Sequence, residues 1–216
     1  MRSLFLDLAS HSGLLACVTE DRVMASHPVD HRIDDVLLMS HVEDVLLGAA
    51  GWSYPDLTHI ACVIGPGGFT SLRVAVALSN TLSHELGIPQ CGVHLSDIYA
   101  VRAQMKNEKL TVKNNDAQIF HFSFSTSLWL HSTKKHELFI RQFPAEPRCV
   151  TLDELRAIIK PGMQWMGELI PEHRVIVEDA GVTEAPMRSL ADVLPAFLQA
   201  QKFGAQILTP WYGRGW

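Results

Sequence analysis

The chain has 216 residues, with 18 Lys and Arg against 23 Asp and Glu for a formal charge of −5, and it is 47% hydrophobic and 19% charged. That composition excludes global disorder. It also excludes a broadly basic surface of the kind that binds phosphate backbones by counterion release, so any service to RNA is expected to run through a partner.

Ser3 to Leu8 and Leu14 to Thr19 read as two strands joined by a polar turn at His11-Ser12-Gly13, with a third short strand around Arg22 to His27. From Asp34 to Ala50 the apolar residues Val36, Leu37, Leu38, Val42, Val45, Leu46 and Leu47 predict a helix, which Gly51 stops. These positions make more than one apolar stripe, whereas a helix lying on a single core needs only one. A second packing partner and a helix sandwiched inside its own domain both account for the surplus.

Thr58 to Ile64 predicts a strand, Ser71 to Leu86 a helix with Thr70 as N-cap and Gly87 and Pro89 as terminators, and Gln90 to Val93 a further strand. This is a βαβ unit with a right-handed crossover expected. Lys106 to Asp116 is polar and short of apolar residues, which divides the chain into lobes at 1–105 and 106–216. Phe120, Phe122 and Phe124 alternate with polar residues as in a half-buried strand. Leu128 to Leu130 and Leu138 to Phe143 flank a polar hairpin loop at 131–136. Thr151 and Glu154 form a capping box for a helix through Ile159. Gln164 to Met166 and Arg174 to Val177 read as short strands, and Ser189 caps a last helix running towards Phe203, bent at Pro195 and free to pack back on the first lobe. The fold class is α/β, in two lobes.

Gly65-Pro66-Gly67-Gly68-Phe69-Thr70 joins a strand to a helix N-terminus, the place where unpaired backbone N–H groups and the helix dipole can hold phosphate. A P-loop would close with Gly-Lys-Ser/Thr and a dinucleotide fingerprint would have a third glycine near Thr70; neither is present. Physical grounds favour a tight turn that docks the helix over an anion site. Among eleven histidines, His131 and His136 are the best pair, but no third ligand stands at metal-ligand spacing. No His-Glu-x-x-His or Gly-x-Ser-x-Gly occurs, and Cys17, Cys62, Cys91 and Cys149 lie far apart, reading as buried thiols of a reducing compartment. The start Met-Arg-Ser-Leu-Phe-Leu-Asp lacks the form of a signal peptide, and no run approaches the roughly 20 apolar residues of a membrane span. A cytoplasmic location is expected.

Gly65 to Arg73 resembles the signature G-P-G-S-F-T-G-L/V-R of the TsaB (YeaZ) family, with Gly68 for its Ser and Ser71 for its Gly. Tyr54 to Ile60 is similar to the family's entry to that strand, Gly87-Ile88-Pro89 with Gly92-Val93 to its exit, Leu6-Asp7-Leu8-Ala9 to its first strand, and Pro210 to Arg214 to its C-terminal P-x-Y-x-R. Ser40-His41 with Val45-Leu46 resembles the family's "HSexLLP" helix with His and Ser reversed.

The resemblance implies an ASKHA (actin/Hsp70-like) fold of two RNase-H-like lobes. It further implies a non-catalytic subunit that dimerises with and activates TsaD, which transfers threonylcarbamoyl to the adenosine next to the anticodon of tRNA; TsaE joins the pair, and tRNA is met only through the complex. By that analogy the two helices of the first lobe form the partner surface through Val42, Val45, Leu46, Leu72, Arg73, Val76 and Asn80, with no catalytic or metal residue. Asp7 is a vestigial cofactor position, where Leu8 in place of Thr removes a hydroxyl and leaves weak nucleotide binding at most. In the second lobe the family's "DAR" is replaced by His131-Ser132-Thr133, and its Gly-x-Gly turn survives as Gly167-Glu168-Leu169. The rival readings are a self-associating homodimer that uses the same helices and a peptidase built on His41 or the histidines of the second lobe.

Overall fold

Strand β1 (Ser3–Asp7) is buried at all five positions and sits at the centre of a five-stranded sheet. The computed structural model describes residues 1–30, 35–103 and 127–213. The strand expected at Phe120–Phe124, the polar boundary at Lys106–Asp116 and the helix start at Asp34 lie outside the described residues.

β2 (Ser12–Val18) and β3 (Val23–Asp30) form an antiparallel meander on one side of β1, from Ser3 opposite Val18 to Asp7 opposite Leu14. Helix α1 (Asp35–Glu43) follows and passes directly into a π-helical turn, Asp44–Ala49, in which the amide of Ala50 reaches the carbonyl of Val45, five residues back. The wider turn lets both Val45 and Leu46 enter the core while leaving Leu47 half exposed.

β4 (His59–Gly65) and β5 (Gln90–His94) extend the sheet in parallel on the other side of β1, giving the order β3-β2-β1-β4-β5. Between them runs α2 (Phe69–Leu86), which buries Leu72, Ala75, Val76, Ser79 and Ser83. Its N-cap is Gly68 and not the expected Thr70, because the loop becomes helical two residues earlier; no side chain caps it. Gly87 ends it in the left-handed conformation, with its N–H and that of Ile88 returned to the last-turn carbonyls of His84 and Ser83. α3 (Leu95–Arg102) follows β5 without a loop and was not expected from the sequence.

The second sheet is built from β6 (Ser127–Ser132), β7 (Glu137–Gln142) and β8 (Arg148–Thr151), which are antiparallel. After α4 (Leu152–Ile158), opened by the expected Thr151–Glu154 capping box, β9 (Gln164–Glu168) joins β6 in parallel. α5 (Pro171–Asp179) and β10 (Thr183–Glu184) follow, β10 pairing with β9 in parallel. The order β8-β7-β6-β9-β10 repeats that of the first sheet strand for strand, although no repeat is visible in the letters. The strand expected at Arg174–Val177 is helix α5: Pro171 takes its first turn, and His173 and Val177, four residues apart, are its buried face.

The chain closes with α6 (Leu190–Gln199), capped by Ser189, whose hydroxyl accepts from the amide of Asp192; the helix stops at Gln199, short of Phe203. One compact unit comprises Met1–Ile98 with Ser189–Tyr212, and a second comprises Tyr99–Arg188 with Gly213–Trp216. Among the described residues no helix is long and apolar enough to cross a membrane.

The first core gathers Leu4, Leu6, Leu15, Val42, Leu46, Ile60 and Val76. The Leu46 side chain is fully buried within it. Leu46→Ala is therefore expected to cost about 2–5 kcal/mol in urea unfolding; a loss under about 1 kcal/mol would contradict this packing.

Candidate functional site: the motif loop and its C-terminal strap

The loop between β4 and α2 is shaped by close backbone approach. Gly65 has φ +148°, and a Cβ there would lie 2.1 Å from the carbonyl oxygen of Trp211; a Cβ on Gly67 would lie 2.5 Å from that of Ala9. Both positions thus require glycine, and the chain's own backbone fills the space beside them. Pro66 is buried, whereas Gly68, Phe69 and Thr70 are exposed.

Asp7 ends β1 beside this loop's packing partner Ala9 and is 2% exposed. Its carboxylate accepts from the amides of Ala9 (3.0 Å) and Ser10 (3.1 Å) and from the Ser10 hydroxyl. These bonds close the turn that starts the β1–β2 connection, a local use of an aspartate that needs no ligand.

Beyond α6 the chain returns along α2 and β5 as a strap. Gln90 exchanges both backbone bonds with Gly204, at 2.8 and 3.0 Å, and its buried side-chain amide donates to the carbonyl of Gln206. The side chain of Asn80 treats Leu208 as a strand neighbour would: Nδ2 donates to its carbonyl (3.0 Å) and Oδ1 accepts from its amide (2.9 Å). Gln90 also donates to Asn80 Oδ1 and accepts from Ser79, so one connected network fastens the strap. The amide of Trp211 then donates to the carbonyl of Ile64 (2.7 Å), and its ring meets His94 edge-on. At the end, Tyr212 stacks on Phe69 with ring centroids 5.1 Å apart and accepts from Arg73 Nε, while the Arg73 guanidinium lies 3.8 Å over the Phe69 ring.

The residues expected at a partner surface divide sharply. Val42, Val45, Leu46, Leu72 and Val76 are 0–4% exposed. They form the inner stripe of their helices, buried within the first unit. Arg73 is exposed, and Asn80 is engaged with the strap. Among the described residues of α1, its π turn and α2, the large outward apolar side chains are Leu37, Met39, Leu47 and Phe69, at 50, 39, 48 and 51% exposure.

Residues 35–114 match the family model of TsaD, tRNA N6-adenosine threonylcarbamoyltransferase. No curated protein matches the chain. Among solved structures, an uncharacterised protein with similarity to peptidase YEAZ from Pseudomonas aeruginosa is 20% identical, with 99% of each chain covered and a TM-score of 0.69. YeaZ from Pseudomonas aeruginosa is 18% identical over 98% of this chain and 99% of its own, with a TM-score of 0.66. The fold is that of YeaZ. The two five-stranded α/β units carry that fold, and the TsaD family model matches the first of them from α1 onward.

Sequence reasoning missed a buried pair in the second unit: the Ser132 hydroxyl lies 2.8 Å from His173 Nδ1, and His173 Nε2 lies 2.9 Å from the carbonyl of Lys135. The distance suits a nucleophile and base, yet Ser132 and His173 are 1% and 0% exposed, the orienting group is a neutral carbonyl, and the hydroxyl accepts from the amide of Ile170. The pair ties the end of β6 to the start of α5. Only the i, i+4 burial of His173 with Val177 could have signalled it. His131, read as a loop residue, belongs to buried β6 beside Glu168, while His136 is on the exposed turn, so the expected pair does not converge. His41 stacks on His27 at 4.4 Å.

The cysteines are no better suited to attack. Burial pushes the thiols of Cys17 and Cys91 up to about 12, and it raises Cys62 too, with the charge of Asp7 adding to the effect. Burial also raises Cys149. All four stay protonated at neutral pH, the opposite of an activated thiolate.

If the Ser132–His173 pair is a structural tie, Ser132→Ala should lower stability by about 1–3 kcal/mol, because it strips partners from a buried amide and imidazole. Chemical denaturation checks this; an unchanged midpoint would contradict the role.

Proposed function

We propose that this chain serves the synthesis of threonylcarbamoyladenosine in tRNA as the non-catalytic partner of a TsaD-type transferase. Support for the pathway comes from the TsaD-model match over 35–114 and the end-to-end likeness to YeaZ structures. The observation that carries the partner role is the placement of exposed apolar side chains. Among the described residues, four of the six large exposed hydrophobics, Leu37, Met39, Leu47 and Phe69, lie in α1, its π turn and the first turn of α2. Exposed apolar surface concentrated on two elements fits a protein partner better than bulk solvent.

On this reading the chain works in the cytoplasm, and its net charge of −5 leaves tRNA binding to the complex. TsaE joins the pair. The chain contributes no cofactor of its own, and nucleotide binds at most weakly near Asp7, whose carboxylate already serves its turn.

The test is co-purification with the TsaD of the same organism, using charges on the outward residues, since a charge at Val76 or Leu46 would enter the core. Leu47→Glu and Phe69→Glu are expected to keep the fold by circular dichroism and to weaken the complex at least about tenfold, as loss of an interface anchor does. Wild-type failure to bind, or full binding by both variants, would refute the partner face. A dimeric mass by light scattering that does not exchange with TsaD would favour self-association instead.

A further inference from the structure

We propose that the C-terminal strap sets the exposed end of α2 for recognition, with Tyr212 as a positioning residue for Phe69 and Arg73. The inference rests on the partner reading above and deepens it.

The N-terminus of α2 is poorly fixed by its own sequence. It follows a loop with glycine at 65, 67 and 68, and no side chain caps its first turn. An exposed phenylalanine there would sample several rotamers, and binding would have to freeze it. The strap removes that freedom beforehand. The Phe69 ring contacts both the Tyr212 ring and the Arg73 guanidinium, and Arg73 is itself bonded to the Tyr212 hydroxyl, so the three side chains close a triangle.

The anchors that make this possible run along the strap from Gly204 to Trp211. Asn80 and Gln90 grip Leu208, Gln206 and Gly204, and the Trp211 amide locks to Ile64, so Tyr212 arrives at the loop already registered. Asn80, expected at the partner surface, acts through this strap. Each hold is a backbone or amide contact, which explains how residues more than a hundred positions apart in the chain can fix one exposed ring.

The experiment compares wild type, Tyr212→Ala and Tyr212→Phe in two measurements: affinity for TsaD, and backbone hydrogen exchange of residues 66–73 in the isolated chain. Tyr212→Ala should bind roughly tenfold more weakly and exchange the loop roughly tenfold faster, while Tyr212→Phe, which keeps the stack, should stay within about threefold of wild type in both. Wild-type affinity and protection in Tyr212→Ala would overturn the strap's role, as would a Tyr212→Phe variant no better than Tyr212→Ala. If wild type does not bind TsaD, the partner reading fails, and loop exchange alone decides whether the strap positions Phe69.

Discussion

The carbonyl of Trp211 occupies the space that a side chain on Gly65 would need, and its amide completes the hydrogen bonding of Ile64. That single close approach joins the strap beyond α6 to the end of β4, from which the motif loop departs. A residue larger than glycine at position 65 would push the strap away. With the strap would go the grip of Asn80 on Leu208 and the support under Phe69. The glycines of the motif thus act by admitting neighbouring backbone, at Trp211 and at Ala9, and the loop becomes a packed joint.

Around this joint, α1 and α2 carry two apolar stripes with different destinations. Val42, Val45, Leu46, Leu72 and Val76 fill the core against the sheet, whereas Leu37, Met39, Leu47 and Phe69 remain outside. The π turn separates Leu46 from Leu47 and so decides which belongs to which stripe. The second unit repeats the first sheet's strand order, yet its α5, in the place of α2, is amphipathic and half polar, with Arg174 paired to Glu184. The duplicated topology thus carries unequal helix surfaces in the two units.

Much of this was legible in the sequence where local chemistry decides. The three-strand meander, the βαβ segment, the Thr151–Glu154 box and the Ser189 cap follow from alternation, glycine stops and capping residues. Helix α5 was misread because Val175, Ile176 and Val177 favour strand locally, while Pro171 at its first turn and burial of His173 with Val177 point to helix. Helix α3 is short, and it is capped by the ring nitrogen of His94, which accepts from the amide of Ser96; histidine is not among the usual capping residues, so the local signal is weak. Which side chains of α1 and α2 face outward was not legible for a different reason: periodicity shows that two stripes exist but cannot say which one the sheet takes. The strap was out of reach, since the contacts of Asn80 and Arg73 with residues near position 210 are set only by the tertiary fold.

The central claim is that the chain supports another protein's catalysis. Its most direct test is threonylcarbamoyladenosine formation on tRNA by the TsaD of the same organism, supplied with the threonylcarbamoyl adenylate and TsaE, with and without this chain, read by mass spectrometry of digested nucleosides. The account predicts product only when the chain is present, in proportion to the complex formed. Equal product without it, or product from the chain in the absence of TsaD, would contradict it.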